Sequence, residues 1–484
     1  MQFELPFESA DGEARAPGNG ARAVQRRTAQ ACEPPVSKGK REGASTASLE
    51  EVAGRLGSAF EAVAANKGAA GPDGQGIERV REHLHELLPV LSRDLLRGKY
   101  VPGDIRRVWI PKAGGGQRGL GIPNVVDRVV QEAVRQVLEP LSEPTFHPGS
   151  HGFRAGRSCH TAIRQAQEYL SQGRQWVVDI DLENFFNRVN HQRLMSRLAL
   201  RVEDKRLLQL VGWMLKAKVV MPDGVVVGNE EGVPQGGPLS PLLSNVVLDE
   251  LDWELEARGL SFVRYADDAN IYVRSERAGQ RVMASVSRFI EGRLRLKVNT
   301  GKSAVARPEE RHFLGFSLRF EPLDGSVEVG VSQRTKDRIG SKIRELTPRT
   351  WGSSIKACLN KINTYVTGWM GFFGICTAQI ERQLQVWDAH IRRRLRAIEL
   401  KQAKRSRTLV AKLIRYGVKR KTAWHTVKQG RKSLWALSCT MAVHRALGNS
   451  LWEERGLKTL QQRYWAHPAR QAALGPEQYA LDWG

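Results

Sequence analysis

The chain has 484 residues, 41% of them hydrophobic, and a formal net charge of +24. That length allows two or three domains with real cores, and the charge points to a polyanionic partner. Five scattered cysteines with no C-x-x-C pair argue against a disulfide framework or a cysteine zinc site and for a reducing compartment. No apolar run approaches the roughly 18 residues of a membrane span. The start, Met1-Gln2-Phe3-Glu4-Leu5, lacks the basic-then-apolar layout of a signal peptide.

Residues 1–47, rich in Ala, Gly, Pro, Arg and Glu without apolar periodicity, read as a disordered leader. Order is expected from Ser48, where Ser48-x-x-Glu51 forms a capping box before a helical stripe of Leu49, Val52, Leu56, Phe60 and Val63. A Gly-rich turn follows at 66–74. Over 105–123, two short apolar runs flank Gly114-Gly115-Gly116, which predicts a β-hairpin with Lys112 and Arg118 on either side of its tip. Cations on such a loop suit closure over a triphosphate; a solvated basic hairpin has the same pattern. Helices are expected at about 124–139 and 204–218, with a strand at Val225-Val226-Val227. The segment Gly232-Val233-Pro234-Gln235-Gly236-Gly237-Pro238 then turns into a helix over 240–257, whose first N–H groups offer an anion site.

Two stretches carry the chemistry. In Trp176-Val177-Val178-Asp179-Ile180-Asp181-Leu182, period-two alternation puts Asp179 and Asp181 on one face of a strand. In Arg264-Tyr265-Ala266-Asp267-Asp268-Ala269, paired acids lie between the apolar runs Phe262-Val263 and Ile271-Tyr272-Val273, which reads as a hairpin with the acids at its tip. If the strand pairs beside the hairpin, Asp181, Asp267 and Asp268 converge. Three carboxylates around two Mg²⁺ ions suit in-line phosphoryl transfer. A helix over about 276–294 follows, and Pro322, Asp324 and Gly325 mark a boundary.

The last third changes character. From Val331 to Gly484 there are 30 Lys and Arg against 9 Asp and Glu, and within His390–Lys432 one acid, Glu399, against 16 bases. Apolar spacing survives at Leu395, Ile398, Leu409, Leu413, Trp424 and Val427, so these are helices with basic faces, suited to phosphate contacts on a folded RNA.

Tyr265-Ala266-Asp267-Asp268, with Asp181-Leu182-Glu183-Asn184-Phe185-Phe186 ahead of it, resembles the palm of a reverse transcriptase. Over roughly 50–465 the chain resembles the group II intron-encoded reverse transcriptases, or maturases, especially the bacterial class C type. The resemblance implies an α+β right-hand polymerase: fingers and palm on a split-βαβ sheet, then an α-helical thumb and a small basic helical region. The expected limits are a leader at 1–47, an N-terminal extension at 48–104, fingers and palm at 105–325, a thumb or maturase domain at 326–402 and a DNA-binding region at 403–484. It implies an RNA-directed DNA polymerase with two Mg²⁺ ions (Mn²⁺ as a substitute) at Asp181, Asp267 and Asp268. Lys302 would protonate the pyrophosphate leaving group, and Lys112 and Arg118 would grip the dNTP. Gln235 and Gly236 would lie nearest the base pair, and Phe186 would exclude a 2′-hydroxyl unless it is an ordinary core residue. Asp179 is expected to play a supporting role.

Arg154 and Arg157, within His151-Gly152-Phe153-Arg154-Ala155-Gly156-Arg157, would hold the template. Arg392, Arg393, Arg394, Arg396, Lys419, Arg420 and Lys421 are candidate nucleic-acid contacts. The implied partners are a group II intron RNA, an RNA template with a DNA primer, target DNA and dNTPs, in the bacterial cytoplasm and with no membrane. No Cys/His cluster follows Trp483-Gly484, so no nuclease domain is expected. Three other readings share parts of the pattern: a splicing-only RNA-binding protein, a domesticated reverse transcriptase in repair or defence, and an RNA-templated RNA polymerase. The intact acids argue against the first and Phe186 against the third.

Overall fold

Ser48 Oγ accepts from the Glu51 amide at 3.2 Å and opens the helix Leu49–Ala65. Its buried stripe includes Leu49, Val52, Leu56, Phe60 and Val63, as a 3.6-residue period selects, and it packs on the helix Val125–Ser142. In this computed structural model the described residues are 47–111, 115–348, 352–378, 380–403, 405–430 and 432–470. The leader expected over 1–47 therefore lies outside them apart from Ala47, and so does Lys112.

The described strands are β1 (Ile105–Pro111), β2 (Gln117–Ile122), β3 (Trp176–Ile180), β4 (Val219–Val220), β5 (Val226–Val227), β6 (Ser261–Tyr265), β7 (Asp268–Val273), β8 (Ala304–Ala306), β9 (Phe316–Phe320) and β10 (Val327–Val331). The hairpin expected over 105–123 is β1–β2, and it joins β4 and β5 in a sheet of order β2-β1-β4-β5. The central sheet, order β6-β7-β3-β8, is antiparallel throughout. Its middle strands are buried on both faces. Val178, Ile180, Phe262, Ile271 and Val273 enter one core with the helices Leu49–Ala65, Val125–Ser142 and Ser240–Ala257. Val177, Val263 and Tyr272 enter a second core with the helix Cys159–Ser171, the hairpin β9–β10 and the C-terminal helices. Strict alternation along each strand thus splits its side chains between two cores.

One helix limit differs from the expectation, and the stretches near the expected domain limits are packed into the second core. The helix expected over 276–294 is α-helical only over Glu276–Phe289; it then widens into a π turn, Ile290–Leu294, ending at Arg295 with φ +56°. Pro322, Asp324 and Gly325 lie in the loop of β9–β10, closed by the Glu321 amide on Ser326 O at 2.9 Å, and both strands feed the second core. This stretch is a hairpin turn, where Pro and Gly mark the chain reversal. Finally, the helices after Ser406 share one core with Ile355–Phe373 and Glu381–Gln402. Asp388 of the latter helix accepts the Leu460 and Gln461 amides at 2.8 and 3.1 Å, capping the helix Leu460–Trp465.

Candidate active site

Register brings the acids together. Ile180 of β3 faces Ala269 of β7, and Tyr265 faces Asp268 across the two-residue turn Ala266-Asp267. Asp181, one residue past β3, therefore lies at the same sheet end as Asp267 and Asp268. On its other side, Asp181 O accepts the Asn299 amide at 2.8 Å, and its amide donates to Ser303 Oγ at 3.0 Å. That chain segment delivers Lys302, whose Nζ stands 3.5 Å from Asp181 Oδ2. Asp179 is held by Arg311 at 2.6 and 2.9 Å.

Withdrawal from water raises the Asp267 carboxyl, and the charge on Asp181 adds to it, while Arg118 acts the other way. Asp268 is pushed up to about 7 by desolvation first, then by Asp267, Asp179 and Asp181. Its surface is nonetheless open, so the share owed to like charges is the one a cation would relieve. Among the described residues no three His, Cys, Asp or Glu close tightly enough to form a metal cage. Hard carboxylate oxygens that repel one another still fit a divalent cation completing its shell from substrate phosphates.

Sequence reasoning missed what holds this turn. Ala266 adopts φ +56°, a left-handed conformation that a side chain disfavours. Arg264, 1% exposed, donates to Ala266 O at 2.8 Å, to both oxygens of buried Asp252 at 2.7 and 2.5 Å, to Asn245 Oδ1 at 3.1 Å and to Ser150 Oγ at 2.7 Å. The segment 149–152 runs beside β6, with Gly149 O accepting the Arg264 amide and the His151 amide donating to Arg264 O, both at 2.8 Å. Asn245 Nδ2 also donates to Gly152 O at 2.9 Å. A Cβ on Gly152 would collide with the Ala266 amide nitrogen. One signal was readable: alternation puts Arg264 on the same strand face as the core residue Phe262.

A second group lines a cavity of about 660 Å³: Arg118, Phe186, Gln235, Gly236 and the start of the helix Ser240–Ala257. Arg118 Nε donates to Gln235 Oε1 at 2.6 Å, and the Gly121 amide donates to Gln235 O at 2.7 Å. Gly236 has φ +132°, and a Cβ there would stand 2.5 Å from Gly121 O, so the turn needs glycine. The Val233 amide donates to Phe186 O at 2.6 Å, tying this turn to the segment after Asp181. Phe186 is 8% exposed and meets Phe185 edge-to-face at 5.2 Å, so it is a core residue that also lines the cavity. The helix start carries no side-chain cap, but the Ser240 amide already donates to Gly237 O at 3.3 Å and Pro241 has no N–H, so it offers fewer donors than the anion site expected from sequence. The three aspartates do not line this cavity; the Arg118 charge acts on Asp267 across the gap.

The structure corrects part of the nucleic-acid assignment. The Arg154 side chain is 5% exposed and spends its donors on Glu143 and on His147 and Ser150 carbonyls. Arg157 is half-buried and donates to Pro148 O at 2.6 Å. Arg394 and Arg396 are buried, bonded to Thr347 and to Ser438 O. Arg154, Arg394 and Arg396, enclosed and paired within the fold, are not free for phosphate contacts. Arg393 is half-buried, stacked 3.8 Å over Trp435, and Arg392 is half-buried. Lys419, Arg420 and Lys421 are exposed.

Residues 110–318 match the family model for reverse transcriptase (RNA-dependent DNA polymerase), and 336–417 match that for the group II intron maturase-specific domain. The chain is 33% identical to protein YkfC of Escherichia coli over 61% of this chain and 88% of that protein. It is 36% identical to the group II intron-encoded protein LtrA of Lactococcus lactis over 40% of this chain and 32% of LtrA. It is 31% identical to nuclear intron maturase 4, mitochondrial, of Arabidopsis thaliana over 35% of this chain and 22% of that protein. The matched stretch thus spans most of YkfC but a third or less of LtrA and the plant maturase.

An α+β chain with clustered acids at one end of an antiparallel sheet, matched by this family model, is a right-hand polymerase of the reverse transcriptase class. More narrowly, the chain belongs to the group II intron-encoded reverse transcriptase/maturase family, whose polymerases generally use divalent metal ions. Among the described residues no helix is long and apolar enough to cross a membrane.

Proposed function

We propose that this chain copies a group II intron RNA into DNA at a primer end, and binds the same RNA to assist splicing. In this reading residues 105–325 are fingers and palm, 326–402 the thumb or maturase domain and 403–484 a DNA-binding region, as in a bacterial class C enzyme acting in the cytoplasm. The observation that carries the reading is the register that brings Asp181, Asp267 and Asp268 to one sheet end, beside Lys302.

Asp181, Asp267 and Asp268 would hold two Mg²⁺ ions, with Mn²⁺ as a substitute; when bound these supply charge neutralisation at the transferring phosphate. The primer 3′-oxygen bonds to the α-phosphorus of the dNTP, the α–β phosphoanhydride bond breaks, and pyrophosphate leaves. Lys302 carries a proton to that leaving group. Arg118 and Lys112 bind the triphosphate, Gln235 and Gly236 abut the nascent pair, and the Phe186 ring occupies the space a 2′-hydroxyl needs. Primer extension on an RNA template tests the reading: the parent should incorporate dNTPs in preference to NTPs, and Asp181→Ala should not extend. Extension by Asp181→Ala near the parent rate would overturn the site, and absence of extension by the parent would overturn the activity.

A further inference from the structure

Outside the catalytic site a second cavity, about 330 Å³, is lined by Asn190, Gln192, Arg193, Ser196, Arg197, Glu250, Arg293 and Arg295. It shares no residue with the cavity of Arg118 and Gln235. Every lining side chain is polar or charged, and four guanidiniums face one carboxylate. Glu250 is already divided between Arg193 at 2.5 Å and Arg293 at 3.1 Å. The side chains of Arg197 and Arg295 have no hydrogen bond or ion pair among the described residues. Four like charges in one concavity repel one another, and the shared Glu250, with the Asp249 charge that also acts on Arg197, offsets only part of that.

The local fold builds this concavity. Asn190 Oδ1 accepts the Arg193 amide at 2.9 Å and starts the helix His191–Ala199, which carries Arg193 and Arg197 one turn apart. The opposite wall is the π turn Ile290–Leu294 and the left-handed Arg295. A π turn and a positive φ at a non-glycine residue both cost stability and persist where they aim side chains; here they deliver Arg293 and Arg295.

We propose that this pocket binds a backbone phosphate of a structured RNA, away from the primer–template. The inference rests on the reading that the chain binds folded RNA. Guanidinium forks match phosphate oxygens bidentately. A protein partner would need an apolar or aromatic anchor at the centre of its interface, and this lining has none.

The test uses the full chain and an Arg197→Ala/Arg295→Ala double variant, with Arg197→Lys/Arg295→Lys as the charge-keeping control. A folded group II intron RNA, an RNA–DNA primer–template and polyglutamate are titrated against each over a range of salt. The alanine variant should lower the slope of log affinity against log salt for the intron RNA by roughly 0.7–0.9, the contribution of one phosphate. The lysine variant should keep most of that slope, and primer–template binding and extension should stay at parent values. An unchanged slope on the intron RNA overturns the inference and makes the pocket a solvated face. An equal loss on the primer–template overturns it by moving the pocket to the substrate track. Loss of polyglutamate binding with intron RNA binding retained overturns it in favour of an acidic protein. If the parent itself does not bind the intron RNA, the underlying reading fails as well, a result the other outcomes cannot imitate.

Discussion

Asp267 and Arg264 sit three residues apart and carry different burdens. Asp267 is a ligand candidate on an open turn; Arg264 is the buried strut that keeps the turn in a left-handed conformation. Asp267→Ala is expected to abolish DNA synthesis, since removing a charge-neutralising ligand costs several kcal/mol at the transition state, while leaving RNA binding intact. Primer extension beside RNA titration checks both halves; extension near the parent rate would sink the metal-site assignment. Arg264→Ala should destabilise the fold by about 3–5 kcal/mol, because Asp252 is left charged and buried without its partner. Arg264→Lys is the sharper probe. A lysine keeps the charge but cannot span Asp252, Asn245, Ser150 and Ala266 O together. Single-turnover extension should therefore fall by more than denaturant unfolding alone explains. Parent-like turnover in Arg264→Lys would show that the fork to Ala266 O has no part in positioning the turn.

At the scale of elements, two loops meet in the cavity of Arg118 and Gln235, and each is fixed by backbone geometry. Gly236→Ala places a Cβ against Gly121 O in a conformation that strongly favours glycine, costing about 1–3 kcal/mol of local strain. Because Gly121 belongs to β2, the strain should separate the Gln235 turn from Arg118. The expected outcome is a raised KM for dNTP with a smaller change in kcat; steady-state incorporation of one nucleotide reads the split, and an unchanged KM would remove Gly236 from the nucleotide site. Phe186→Ala should relax discrimination between dNTP and NTP. The same variant should also lose stability, up to about 3–5 kcal/mol for a buried phenylalanine. Comparing single-nucleotide incorporation with unfolding separates the two, and unchanged discrimination in a destabilised protein would leave Phe186 a core residue only.

The elements show where sequence is readable. The hairpin β6–β7 was legible because two apolar runs flank a two-residue break, and the β3 acids because alternation fixes a strand's faces. Arg264 was not recognised, since an arginine in a strand reads as solvated; only its phase with Phe262 betrayed it. Pro322, Asp324 and Gly325 were legible as a break in the chain, and the break is the turn of β9–β10. Arg154 looked like a template contact because its acceptors, Glu143 and the His147 and Ser150 carbonyls, come together only once the 143–154 segment folds.

For the whole molecule, the excess of basic residues after Val331 does not translate directly into a binding surface. The helix Glu381–Gln402 shows why. Leu384, Trp387, Ile391, Leu395 and Ile398 form the expected apolar stripe, yet every residue from 394 to 400 is buried, since the helices Leu434–Leu437 and Leu460–Trp465 pack around it. Four arginines within five residues cannot share one narrow face, and the surrounding helices enclose two of them. Arg394 binds Thr347 and Arg396 binds Ser438 O, whereas Arg392 and Arg393 retain access to solvent. The pairs should therefore separate in experiment. Arg392→Ala/Arg393→Ala should leave folding nearly intact and reduce the salt slope of binding to structured RNA by roughly 1.4–1.8 if each meets a phosphate. Arg394→Ala or Arg396→Ala should instead lower stability, each leaving buried carbonyls without a charged donor at about 1–3 kcal/mol, with the salt slope of the folded fraction unchanged. Denaturant unfolding and RNA titration on these three variants decide it. A salt slope that falls for Arg394→Ala or Arg396→Ala and not for the other pair would reverse the assignment. Parent slopes throughout would move the RNA surface to Lys419, Arg420 and Lys421, which stand exposed at the start of the helix Arg420–Gly430.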